Sequence, residues 1–80
     1  FLNKNVRILE NPSSGIFKIK MQNISDFKYD IYDITGKTLQ NNVKINKNLF
    51  NIDLNKYSKG LYFVKLYSNI GSITKKLIVK

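Results

Sequence analysis

Apolar side chains in this chain recur at every second position over short stretches, and clusters of Gly, Asn, Ser and Asp cut each stretch off. A period of two sends successive side chains to opposite faces of an extended backbone, so the pattern predicts half-buried strands joined by tight turns. Helical spacing is hard to find. Val6–Leu9 reads as a first short strand, closed by Asn11-Pro12-Ser13-Ser14-Gly15, where Pro fixes φ and lacks a ladder donor while Gly accepts positive φ. Ile16–Met21 alternates Phe17, Ile19 and Met21 against Lys18 and Lys20, with Ile16 expected to reach the core at the strand's start.

After the polar residues 23–26, the stretch 27–34 carries Phe27, Tyr29 and Ile31 on one parity and Tyr32 and Ile34 on the other. A bulge, or a strand buried on both faces, accounts for such a switch. Thr35-Gly36-Lys37 then supplies the αL glycine of a short hairpin loop, and Thr38–Ile45 is the return strand. Residues 49–54 set Phe50, Ile52 and Leu54 toward the core, and the polar loop 55–60 follows. In 61–67, the most β-prone stretch, Lys65 shares a parity with Leu61, Phe63 and Tyr67, so Tyr62, Val64 and Leu66 are expected to point inward. Asn69-Ile70-Gly71 turns the chain into a last strand, its expected partner, where Ile73, Leu77 and Val79 share a parity with Lys75.

Eighty residues make one domain, spanning 1–80, with a thin core. Without Cys there is no disulfide framework and no thiolate metal site, so packing alone must hold the fold. Seven short strands at this spacing predict a small antiparallel β-sandwich of immunoglobulin-like arrangement. Phe1 in place of Met, with no basic stretch and apolar run behind it, reads as a piece of a longer protein. The longest apolar run, 61–64, is far short of the roughly 20 residues of a membrane-spanning helix, so no membrane insertion is expected.

Fourteen Lys and Arg against five Asp and Glu give a net charge of +9, which raises nucleic acid, acidic polysaccharide and anionic lipid as partners. Only Arg7 is Arg, and the Lys residues are dispersed, with Lys75 and Lys76 the one adjacent pair. Base and bidentate phosphate recognition favour the guanidinium fork, so nucleic acid is not an expected partner. Lys, Asn and Ile all have A- and T-rich codons, and a biased genome explains much of the charge.

The turn signals recur in an order that resembles the type A C-terminal sorting domain of the type IX secretion system. The matching residues are Asn11, Pro12 and Gly15, then Tyr32, Asp33, Gly36 and Lys37, then Asp53 and Leu54, then Gly60, Leu61, Tyr62 and Val64, and a closing Lys-rich strand with Lys75, Lys76 and Lys80. Where the family usually has an aromatic residue and a Pro ahead of Asn-Pro, this chain has Leu9 and Glu10. The resemblance implies a monomeric, non-catalytic address at the end of a larger secreted protein of a Gram-negative bacterium. Its partners would be the outer-membrane translocon and shuttle proteins, reached through the periplasm. A sortase-like peptidase would remove it at the cell surface, and the cargo would be released or anchored. The sorting-motif and recognition candidates are Asn11, Pro12, Gly15, Asp33, Gly36, Lys37, Gly60, Tyr62, Lys75, Lys76 and Lys80. The last strand, with an unpaired edge beside Lys75, Lys76 and Lys80, is a candidate for strand addition, and the plain alternative is that these lysines only guard the edge against aggregation.

The residues themselves speak against catalysis. His and Cys are absent, and Glu10 with four Asp residues are the only carboxylates. Asp30 and Asp33, three apart on a strand, face opposite sides and make no acid/base pair. Asp33 reads as a turn residue bonding the backbone ahead of Gly36. No metal and no cofactor is implied. Asn23-Ile24-Ser25 fits a glycosylation pattern expected by chance in so Asn-rich a chain. The alternative from another class is a carbohydrate-binding or adhesive module appended to a secreted enzyme, using Phe63 and Tyr67 as exposed rings.

Overall fold

Each stretch of alternation among the described residues, 6–22, 26–69 and 71–80 of a computed structural model, is a strand. These are β1 (Val6–Leu9), β2 (Ile16–Met21), β3 (Phe27–Asp33), β4 (Thr38–Ile45), β5 (Leu49–Asp53), β6 (Gly60–Ser68) and β7 (Gly71–Val79). They form two antiparallel sheets, one in the order β1-β2-β5 and the other β4-β3-β6-β7. β2 pairs with β5 and β3 with β6, as in an immunoglobulin-like sandwich, while β4 lies beside β3 and not in the first sheet as in constant-type domains. Asn23-Ile24-Ser25 and Ile70 lie outside the described residues.

The core fills the space between the sheets from the parities read in the sequence. Phe17, Ile19 and Met21 of β2 are buried, as are Ile52 and Leu54. They meet Phe27, Tyr29 and Ile31 of β3, Tyr62, Val64 and Leu66 of β6, and Leu77 and Val79 of β7 in one cluster. Each such side chain contributes ~1.5–3 kcal/mol relative to an exposed position. The Tyr29 ring stacks on Phe50 at 5.7 Å between centroids, tying β3 to β5 across the layers.

Three expectations change. Ile16 is 39% exposed and does not reach the core, because the parity of β2 sends it out with Lys18. The irregularity read into 27–34 sits on β4. Between Tyr29↔Val43 and Ile31↔Gln40 the return strand passes one extra residue, and a second shift precedes Tyr32↔Thr38. Asn42, at φ 54, takes up the first of these, a conformation that Asn adopts more readily than most residues. Tyr32 therefore stays half-buried on the outer face. Ile34 is 70% exposed because it belongs to the hairpin loop, one residue earlier than Thr35-Gly36-Lys37. The Gly36 N–H donates to Asp33 O and the Asp33 N–H to Lys37 O, so the loop is Ile34-Thr35-Gly36 with Gly36 at φ 88.

Candidate functional site

The turn Asn11–Gly15 carries an Asn whose side chain behaves as a piece of strand. Asn11 Nδ2 donates to Lys76 O at 2.8 Å, and Asn11 Oδ1 accepts from the Ile78 N–H at 3.0 Å. Ser13 continues the line with its backbone: its N–H donates to Ile78 O and its carbonyl accepts from the Lys80 N–H. The result is a parallel bridge, Ser13↔Val79, along the outer edge of β7. The Asn11–Pro12 peptide bond between them is cis. Ser13 is buried, its Oγ donating to Ile16 O and accepting from the Gly15 N–H. Gly15 O accepts from the Leu54 N–H, and a Cβ on Gly15 would lie 1.9 Å from Asn55 Oδ1. A side chain at that position would displace the Asn55 amide, and at φ 149 it would also strain the backbone.

The unpaired edge expected beside Lys75, Lys76 and Lys80 is therefore covered over its second half. The backbone of 76, 78 and 80 is bonded to Asn11 and Ser13, an arrangement that bridges 65 residues of sequence between Asn11 and Lys76.

From that clasp the remaining candidates run in a row across one end of the four-stranded sheet. Val79 pairs with Gly60, Leu77 with Tyr62, and Tyr62 with Asp33, which opens the Gly36 and Lys37 hairpin. Asn11, Pro12, Gly15, Gly60, Tyr62, Asp33, Gly36, Lys37, Lys76 and Lys80 thus gather at one end, and Lys75 lies further along β7. The Tyr62 hydroxyl donates to Ser58 O at 2.5 Å, pinning the loop before β6 in the manner of a tyrosine corner. A depression of about 340 Å³ beside it is lined by Asp33, Leu39, Tyr57, Gly60 and Tyr62.

Asp33 organises its hairpin as a turn residue. Its Oδ1 accepts from the Thr35 N–H at 2.9 Å, Thr35 Oγ1 at 2.6 Å and the Lys37 N–H at 3.0 Å. The Thr35 hydroxyl, foremost among these donors, holds the carboxyl below the usual carboxylate range.

Two residues escaped the sequence reading. Ser13 gave no signal beyond its place in a turn. Asp30 lies on the outer parity of β3 and is nonetheless buried at 7% exposure. It accepts from the Asn42 N–H at 2.8 Å, from Tyr32 Oη at 2.8 Å and from Tyr67 Oη at 3.0 Å. Burial works to raise its pKa, but the Asn42 amide, the two hydroxyls and the Lys65 charge together bring it below the ordinary value. The signal for this network was the pair of tyrosines on the same outer face. Its geometry is that of a brace holding the β4 bulge.

The rings wanted by a carbohydrate-binding reading are both half-buried. Tyr67 gives its hydroxyl to Asp30 and to Asn42, and Lys65 Nζ stands 5.7 Å from its ring centre. Among the described residues no group of three or more His, Cys, Asp or Glu side chains converges.

A family model described as a secretion system C-terminal sorting domain matches residues 8–80. No curated protein matches the chain.

Proposed function

The chain belongs to the family of secretion system C-terminal sorting domains, the sorting signals of type IX secretion, and we propose that it works as a folded, non-catalytic and monomeric address at the end of a larger protein. Membership implies export of that protein to the cell surface or the medium. In the proposed route the parent crosses the periplasm, a shuttle protein and the outer-membrane translocon read the folded domain, and a sortase-like peptidase removes it. One observation supports the reading above others: motif residues scattered between Asn11 and Lys80 come together at one end of the four-stranded sheet. Recognition of a folded end explains why short, separated turn motifs would be kept in one chain.

The test is a fusion of residues 1–80 to a periplasmic reporter, expressed in a host with the type IX system and followed by fractionation. The fusion is expected at the surface or in the medium. A version lacking 75–80 is expected to stay behind, and circular dichroism on both separates lost recognition from lost folding, since Leu77 and Val79 are core residues. A folded, intact fusion that remained in the periplasm would overturn the reading.

A further inference from the structure

The clasp covers only the second half of the β7 edge. The β6–β7 ladder runs from Gly60↔Val79 to Ser68↔Gly71 without a register shift. Residues 76, 78 and 80 turn backbone groups outward, where Asn11 and Ser13 meet them. In an unbroken strand every second residue turns its N–H and C=O the same way, so Ser72 and Thr74 present theirs to the same edge. Both residues are exposed, and among the described residues no strand or turn pairs with them there.

This open half faces a cleft of about 780 Å³ toward the other sheet, lined by Val6, Arg7 and Ile8 of β1 and by Thr74, Lys75 and Lys76 of β7. β1 is itself the edge of its sheet. Among the described residues the lining holds three cations and no carboxylate; Glu10 follows β1 in sequence and lies outside it. Val6 and Ile8 put apolar surface between the charges, with Val6 buried and Ile8 packed on the core.

The geometry points to an extended acidic segment of a partner protein as the occupant, added as a strand to β7 at residues 72–76. Main-chain bonds to Ser72 and Thr74 supply affinity; Lys76, on the same outward parity as Thr74, selects Asp or Glu at alternate positions on that face of the added strand, while Arg7 and Lys75 add positive charge around the cleft. A second copy of this chain is the poorer occupant. It would set Lys beside Lys in a molecule that already carries +9. The inference rests on the sorting reading only for its biological use, since it names the surface that the secretion machinery would read.

A capped, dye-labelled peptide of alternating Glu and Val, about eight residues long to match a strand, is the probe. A Lys-Val peptide of the same length is its control, and both are titrated by anisotropy against the whole chain. The Glu-Val peptide is expected to bind and to protect the Ser72 and Thr74 amides from exchange, while the Lys-Val peptide does not. Thr74→Pro removes an edge N–H that the β6 ladder does not use, and is expected to weaken binding about tenfold, the order of one lost backbone bond. Lys76→Glu, which leaves the backbone donors intact, is expected to weaken the acidic peptide and admit the basic one. Equal binding of the two peptides, unchanged binding by both variants, or a dimer that already protects these amides would each overturn the inference.

The same variants in the reporter fusion keep the two readings apart. An exported parent with equally exported, folded variants would sink the surface assignment and leave sorting intact. A parent that is not exported would sink sorting, while the titration still decides what the cleft accepts.

Discussion

Replacing Asn11 by Ala removes two hydrogen bonds from the clasp and nothing from the core. The bonds measure 2.8 and 3.0 Å and are exposed to solvent. An intramolecular hydrogen bond contributes ~0.5–1.5 kcal/mol net, and exposed ones sit toward the lower half, so the pair should be worth about 1–2 kcal/mol. For a domain of this size 1 kcal/mol moves Tm by about 4–8 °C, which gives a fall of about 4–16 °C in Asn11→Ala. Thermal denaturation followed by far-ultraviolet circular dichroism reads the shift, and amide exchange locates it. The Ile78 amide loses its acceptor outright and should exchange faster. The Lys80 amide should follow, because Ser13 then has only its own backbone bonds to stay on the edge. A melting point within about 1 °C of the parent would show that Asn11 only decorates the edge of β7, since 1 kcal/mol should move it at least fourfold further.

Two further outcomes follow from the turn and the brace. Gly36→Val should lower stability by ~1–3 kcal/mol through backbone strain, because φ 88 suits no β-branched residue while a Cβ there meets no atom within 4 Å. Gly36→Asn should recover part of the loss in the same melt, and equal damage from both would argue for a clash in place of strain. For Asp30 the folded pKa lies below the ordinary value, so its contribution is complete above the unfolded pKa of about 4 and is lost as pH falls through the folded one. Melting temperatures taken down to about pH 2 should therefore drop in that acid window, and Asp30→Asn should flatten part of the drop; an identical pH profile for the variant would rule the brace out as its source.

The strands were legible because burial is decided by parity. Phe17, Ile19 and Met21 against Lys18 and Lys20 permit one orientation of β2, and Tyr62, Val64 and Leu66 against Lys65 permit one of β6. The Gly36 hairpin was legible to within one residue because its φ of 88 suits glycine best of all residues. Contacts made by a side chain posing as backbone were not. Nothing near Asn11 points to Lys76 and Ile78, and the match depends on where β7 comes to rest after every other strand has packed. The β4 bulge was hidden for a similar reason: the parity switch in 27–34 told of an irregular pair without telling which strand held the extra residue.

That division bears on which motif residues a partner could touch. Asn11 and Ser13 are bonded to β7, Gly15 lies against Asn55, Gly36 and Gly60 hold positive φ, Asp33 braces its hairpin and Tyr62 pins the loop before it. Each has a structural task, so its substitution would remove the address by loosening the fold whether or not any partner contacts it. Lys37, Lys76 and Lys80 are different, for they are exposed and their side chains hold no part of the core. Recognition that acts through charge belongs to such residues, and it weakens as salt screens it over about 10 Å at 0.1 M. In the proposed reading the turn motifs build the end of the sandwich, and the lysines around it, together with the open stretch of β7, are what a partner meets.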